Sequence, residues 1–164
     1  MSITRRDKTT YRIANAGPKG ADLYLHILSR DEAEEFLPDR DDKFITISIT
    51  DPGSRLANLP TGIDRGCLGI HRVSFDDWDR QHHDRIVLMS REQALAIAEF
   101  VKPRIGVVRH IIVHCEAGIS RSAGCAAAIG MYLCGDDSEI WQNFLPNCHV
   151  YRVMMYALKG KFER

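Results

Sequence analysis

The sequence predicts an α/β domain in which helices flank a largely parallel central sheet. Strand-like and helix-like segments alternate along most of the chain, as expected for such a sheet. Residues 109–114 form an apolar segment without polar alternation, which is typical of a strand covered on both faces. A segment of small apolar residues with helical character follows from Ser122 onward. The 164 residues are enough for one such domain with a substantial core.

The first twenty residues differ from the rest in composition. They are polar and basic, and they contain Gly17, Pro18 and Gly20, which favour turns. We expect residues 1–20 to form an extended or loosely held N-terminal extension. A single domain is then expected at residues 21–164.

Hydrophobic periodicity, β-branched residues and turn residues place the other elements. Ser90 is expected to cap a helix that ends before Pro103. Residues 76–84 are charged, with Trp78 among them, and are predicted to form a loop. Strands are predicted at 22–28, 44–49, 68–75 and 109–114, and helices at 31–37, 91–101, 122–133, 138–144 and 150–159.

Composition excludes several classes of protein. Lys and Arg together number 22, as do Asp and Glu, and this balance argues against a general nucleic-acid-binding protein. The longest weakly polar run, 122–134, is shorter than the ~20 residues that cross a bilayer. The basic N-terminal residues are not followed by the apolar segment of a secretory signal. We therefore expect a cytoplasmic protein without membrane association.

The cysteine content predicts reduced thiols. Five cysteines without a C-x-x-C pair fit neither a disulfide scaffold nor a structural zinc site. His82 and His83 have no companion ligand pattern, so a surface loop is the better interpretation there. No metal site and no cofactor are predicted.

The chemistry is concentrated in residues 113–123, at a predicted strand-to-helix junction. Backbone N–H groups of such a loop and of the following helix N-terminus can bind an anion. Gly118 allows a tight turn, and Cys115 at the start of the loop is placed where the amides favour the thiolate. Arg121 can donate two parallel hydrogen bonds to phosphate oxygens. Ser122 can hydrogen-bond the sulfur and help it to leave.

Residues 114–122 read His-Cys-Glu-Ala-Gly-Ile-Ser-Arg-Ser. This segment resembles the HCxxGxxRS signature of the protein-tyrosine and dual-specificity phosphatase superfamily at every fixed position. The resemblance implies a protein-tyrosine-phosphatase-like fold and a metal-free mechanism in which the Cys115 thiolate forms a cysteinyl-phosphate. It implies that phosphate is bound by the loop residues Glu116, Ala117, Gly118, Ile119, Ser120 and Arg121.

The resemblance also implies an aspartate on a separate loop that protonates the leaving oxygen and then activates water. Asp77 is the preferred candidate because it directly precedes the bulky Trp78, which can anchor the loop. Asp76 is the second candidate, and Asp79 and Asp84 follow. The Trp-Pro-Asp sequence of the best-known family members is absent.

Three further features adjoin this motif. His114 is expected to order the loop by hydrogen bonding. Cys125 and Cys134 are expected to pack in the core, and the sequence does not show whether either is a redox partner of Cys115. Asn147 is a candidate helix cap, and in similar compact phosphatases such a position lies near the active site.

These features predict a hydrolase that acts on a phosphorylated protein or a small phosphomonoester. The choice between phosphotyrosine and phosphoserine or phosphothreonine stays open. A phosphate-binding adaptor without activity and a phosphatase of a non-protein substrate are the alternatives, although Glu116 and the lack of lysine in the loop fit a highly anionic lipid headgroup poorly. The C-x5-R spacing argues against a rhodanese-type sulfurtransferase, and no cysteine shuttle for arsenate reduction is identifiable.

Overall fold

The computed structural model of the chain describes residues 2–160. One six-stranded sheet forms its centre, in the order β1-β2-β3-β6-β4-β5. The first two strands pair antiparallel, while β3, β6, β4 and β5 run parallel. The prediction of an α/β domain with a largely parallel sheet is confirmed. The strands are β1 (Ile3–Arg5), β2 (Thr10–Ile13), β3 (Leu23–Leu28), β4 (Phe44–Thr50), β5 (Cys67–Ser74) and β6 (His110–His114), and the helices are α1 (Arg30–Glu35), α2 (Arg91–Val101), α3 (Arg121–Cys134), α4 (Ser138–Asn143) and α5 (Cys148–Lys159).

The N-terminal segment differs from the expected loosely held extension. Residues 1–20 contain β1 and β2, and β2 pairs with β3 as part of the main sheet. Tyr11 and Ile13 are fully buried, while Thr10 and Arg12, which alternate with them, point to the other face. This period-two pattern is short and lies among basic residues, so composition concealed it.

Helices α2, α3 and α5 cover one face of the sheet, and α1 with the loop after β4 covers the other. Residues of β4 alternate between the two faces: Ile45, Ile47 and Ile49 belong to the larger core on the helical side. Helix α3 packs closely on the start of α5, where a Cβ at Gly124 would lie 2.7 Å from the carbonyl oxygen of Asn147. Within residues 2–160 no helix combines the length and apolarity needed to cross a membrane.

Capping boxes begin two of the helices. The Ser29 hydroxyl accepts a hydrogen bond from the Glu32 amide at the start of α1, and Ser90 does the same for Gln93 at the start of α2. Each N3 side chain in turn accepts a hydrogen bond from the capping residue's amide. The predicted cap at Ser90 is confirmed, and α1 is fixed directly after β3, beside the loop that follows β6.

Candidate active site

The loop between β6 and α3 is held against the β3–α1 turn. The Arg30 guanidinium forms a 2.9 Å salt bridge with Glu116, and the Arg30 amide donates to the Glu116 carbonyl oxygen. Gly118 has a φ of +70°, and a Cβ there would lie 2.6 Å from the carbonyl carbon of Leu28 and against the amide of Ser29. The loop therefore requires glycine at this position for both conformation and space.

The sulfur of Cys115 lies at the floor of this loop, where the residue is 2% exposed. The amide of Gly118 donates to Sγ at 3.2 Å, and the Ser122 hydroxyl lies 3.1 Å from Sγ. A backbone amide and a hydroxyl directed at the sulfur stabilise negative charge on it.

Arg121, the first residue of α3, is buried at 4% exposure. Its Nη1 donates to the carbonyl oxygen of Phe75 at 2.8 Å and forms a 2.8 Å salt bridge with Asp51. Its Nε is buried and has no hydrogen-bond partner among residues 2–160. One edge of the guanidinium is thus fixed by the segments after β4 and β5, while a buried donor remains unsatisfied.

His114 lies beneath the loop and is fully buried. Its Nδ1 lies 3.2 Å from the Cys115 carbonyl oxygen, and its Nε2 lies 2.6 Å from the Ser48 hydroxyl. Burial lowers the pKa of His114, which favours the neutral ring. Because a carbonyl oxygen can only accept, Nδ1 carries the hydrogen and Nε2 accepts from Ser48. These contacts tie the start of the loop to β4.

Asp77 approaches the loop from the segment after β5. Its Oδ1 accepts hydrogen bonds from the Ser120 hydroxyl at 2.8 Å and from the Asn147 amide nitrogen at 2.9 Å. Asp76, the other candidate, accepts a hydrogen bond from the amide of Val87 and so closes its own loop. Of the two aspartates, it is Asp77 that lines the pocket above Cys115.

This pocket has a volume of about 400 Å³. Its upper walls are apolar: Ile119 and Leu145 are exposed there, and Leu145 is 75% exposed. The Leu145 amide donates to the Ile119 carbonyl oxygen at 3.2 Å. The pocket is lined by Asp77, Cys115, Glu116, Ala117, Ile119, Ser120, Arg121 and Leu145. The structure thus brings together the nucleophile candidate, the arginine and the preferred aspartate.

The remaining cysteines and histidines lie outside this pocket. Residues 2–160 contain no group of three side chains that could hold a metal ion. The ring of His82 stacks on Trp78 at 5.1 Å between centroids. All five cysteines are free thiols. Burial raises the pKa of Cys125 to about 12, and it also raises the pKa of Cys134.

No protein-family model and no curated protein matches the chain. Solved structures do match. PTPMT1, solved in complex with PI(5)P, is 15% identical, and the alignment covers 96% of this chain and 95% of that chain with a TM-score of 0.53. The chain has the protein-tyrosine-phosphatase fold. Tk-PTP in its active form (21% identity, coverage 93% and 97%, TM-score 0.47) and a mouse putative dual specificity phosphatase complexed with zinc tungstate (18%, 98% and 92%, 0.48) are also similar.

Within this phosphatase fold, sequence reasoning missed one residue that lines the pocket and two that support it from outside. Leu145 lines the pocket, Asp51 pairs with Arg121, and Ser48 pairs with His114. Asp51 had one usable signal, since it follows a central parallel strand at the sheet edge where ligands bind. Asn147 was identified as a cap, and it does accept from the Val150 amide at the start of α5. Its contact with Asp77 had no signal in the sequence.

Proposed function

We propose that the chain is a phosphomonoester hydrolase, a protein-tyrosine or dual-specificity phosphatase acting through a cysteinyl-phosphate. One observation carries the proposal: the buried Nε of Arg121 has no partner in the described part of the chain, residues 2–160, and Arg121 lines the same pocket as Cys115. An unsatisfied buried donor costs about 1–3 kcal/mol, more for a charged group. A bound phosphate oxygen would remove that cost.

In the first step, the thiolate of Cys115 attacks phosphorus as the bond to the leaving oxygen breaks. Asp77, in its protonated form, gives its proton to that oxygen. The loop amides and the Arg121 guanidinium bind the three equatorial oxygens and stabilise the charge that spreads over them. The Gly118 amide hydrogen-bonds the sulfur before attack.

In the second step, water attacks the phosphorus of the cysteinyl-phosphate. The Asp77 carboxylate accepts the proton of that water, and the phosphorus–sulfur bond breaks. Ser122, whose hydroxyl lies 3.1 Å from the sulfur, donates a hydrogen bond to the departing thiolate. The products are inorganic phosphate and the original thiolate, with Asp77 protonated again.

Hydrolysis of a chromogenic aryl phosphate tests this proposal. Cys115→Ser is expected to lower kcat by about a thousandfold or more, because a serine hydroxyl is a far weaker nucleophile in this loop. Cys134→Ser on α3, outside the pocket, is the matched control and should retain activity. Vanadate should inhibit the wild-type enzyme. Full activity of Cys115→Ser would exclude the mechanism, and tight phosphopeptide binding without phosphate release would show an adaptor.

A phosphoinositide is the second candidate substrate, because PTPMT1 was solved with PI(5)P. Charge at this pocket favours a phosphoprotein instead. Arg121 is already paired with Asp51, and the Arg30 guanidinium is paired with Glu116. A headgroup with several negative charges therefore meets few free cations. A comparison of kcat/KM for phosphate release from a phosphotyrosine peptide and from PI(5)P distinguishes the two substrates. The cytoplasmic location of the protein stays a prediction.

A further inference from the structure

Three adjoining depressions form a trough that leads from the pocket along α5. The second depression, of about 220 Å³, shares Asp77 and Ser120 with the pocket above Cys115. The third, of about 430 Å³, shares Cys148 with the second. The shared residues place the three depressions side by side, from the pocket above Cys115 to the outer side of α5.

The third depression is an aromatic groove between α4 and α5. The α5 residues that line it lie three or four positions apart, so they share one face of the helix. Trp141 of α4 is 38% exposed, and its ring meets that of Tyr151 edge to face at 5.2 Å. The half-buried Tyr151 and Met155 pack against the core and form the floor of the groove, which is lined by Trp141, Cys148, Tyr151, Arg152, Met155 and Tyr156. Partly exposed aromatic and sulfur-containing side chains of this kind are typical of a recognition surface.

Arg152 gives the groove a positive charge. The side chain is exposed and forms no salt bridge with a carboxylate of residues 2–160. A guanidinium beside aromatic rings recognises a carboxylate next to an apolar side chain. That combination belongs to a peptide with an apolar and an acidic residue.

We propose that the trough is an accessory subsite for a phosphopeptide substrate, which binds a bulky apolar side chain between Trp141 and Met155 and a neighbouring carboxylate at Arg152. The inference rests on the proposed function and names the kind of phosphoprotein recognised. From Cys148 to Met155 the helix rises about 10 Å, a span that about three residues of extended peptide cover. The apolar residue then lies at least three positions from the phosphorylated one.

Other occupants fit less well. A second copy of the chain seated in the trough would also cover the pocket, since the two are continuous, and would block substrate. An acyl chain would leave Arg152 unpaired against hydrocarbon, which is unfavourable. A peptide satisfies both the aromatic and the charged part of the surface.

The experiment measures kcat/KM for peptides that carry Leu-Glu three, four or five positions before or after the phosphotyrosine. Matched peptides with Ala-Ala at the same positions provide the comparison. At least one Leu-Glu peptide is expected to be hydrolysed about tenfold better. Trp141→Ala should remove that advantage while changing aryl phosphate hydrolysis less than twofold. Tyr132 is an aromatic residue on α3 with the same 38% exposure, and the control variant Tyr132→Ala should keep the preference for the Leu-Glu peptide. Arg152→Glu should shift the preference from Leu-Glu to Leu-Lys.

Equal kcat/KM values for all peptides would overturn the proposed subsite. So would a Trp141→Ala variant that loses as much activity towards the aryl phosphate as towards the Leu-Glu peptide. So would a dimer in sedimentation that Trp141→Ala dissociates, or a Trp141-dependent preference for PI(5)P in vesicles over every peptide. Failure of the proposed function has a different signature, since wild-type protein would then hydrolyse no aryl phosphate. In that case, peptide affinities for the Cys115→Ser protein test the groove directly.

Discussion

Asp51 Oδ1 lies 2.8 Å from Nη1 of Arg121, so a carboxylate at the end of β4 holds the arginine of the β6–α3 loop from outside the pocket. The Asp51 side chain is 54% exposed, whereas that of Arg121 is almost fully buried. Nη1 is occupied by this carboxylate and the Phe75 carbonyl oxygen, whereas the buried Nε has no partner within residues 2–160 and can donate to a ligand. The contact positions the guanidinium and does not itself bind phosphate.

Asp51→Ala is therefore expected to reduce kcat/KM for an aryl phosphate about tenfold, with weaker inhibition by vanadate, because the guanidinium is less well oriented. Asp51→Asn keeps an acceptor and should lose less. Asp41→Asn, another exposed aspartate, is the control for charge alone. Wild-type kinetics in Asp51→Ala would show that the Phe75 carbonyl suffices.

Asn147 links the segment that carries Asp77 to the start of α5. Its amide nitrogen donates to Asp77 Oδ1 and to the Trp78 carbonyl oxygen, while its Oδ1 caps the helix. Asn147→Ser should keep the cap but release the aspartate. We expect kcat to fall about tenfold for an alkyl phosphate, whose leaving group needs a proton, and little for a nitrophenyl phosphate.

The unfolding midpoint of the Asn147→Ser protein, compared with wild type, provides the control for folding. If Asp77→Asn and the double variant show the same loss with the alkyl phosphate, the two residues act as one unit. Equal losses with both leaving groups would instead indicate a general disturbance of the pocket.

Gly118 is required by space as well as conformation. Its φ of +70° disfavours any side chain, and a Cβ would meet the backbone of Leu28 and Ser29. Gly118→Ala should displace the loop, abolish aryl phosphate hydrolysis and lower the free energy of unfolding by about 1–3 kcal/mol. Gly53→Ala has a similar φ of +74° but open space around it, and should keep activity. Retained turnover in Gly118→Ala would mean that the loop tolerates a different path.

The candidate site could be proposed from the sequence where its residues are contiguous. Residues 114–122 place the candidate nucleophile, the glycine and the arginine in one loop, so local spacing was sufficient to group them. The neighbouring Trp78 favoured Asp77 over Asp76 in the sequence, but the contact of Asp77 with Asn147 joins residues that are 70 positions apart and has no local signal. Asp51 likewise reaches Arg121 only through the pairing of β4 with β6.

The parallel core was predicted better than its edge. Long β-branched strands and capped helices are strong local signals, and they correspond to β4 and α2. The strand at Thr10–Ile13 has only two apolar positions and becomes recognisable when it pairs with β3. Sheet pairing decides the structure of such short segments.

A buried polar chain beside that edge predicts the pH dependence of stability. His26 Nδ1 lies 3.0 Å from the Thr10 hydroxyl, His26 Nε2 lies 2.9 Å from His110 Nδ1, and His110 Nε2 lies 2.9 Å from Asp42. With both rings neutral, the Thr10 hydroxyl donates to His26, His26 donates to His110, and His110 donates to the Asp42 carboxylate, so every group is paired. Burial, and then the neighbouring His110, lower the pKa of His26 from 6.5 to about 3, whereas Asp7 acts weakly in the opposite sense.

A histidine with a lowered folded-state pKa favours the folded protein only while it is neutral. Its contribution is complete above pH 6.5 and is lost as the pH falls from there towards 3, by about 1.4 kcal/mol for each pH unit at most. Urea unfolding between pH 4 and 8 should show this loss in the wild type and a flatter profile in His26→Gln. His82→Gln, on an exposed ring, should follow the wild type. If the free energy of unfolding falls with pH equally in the wild type and in His26→Gln, His26 does not control the loss of stability in acid.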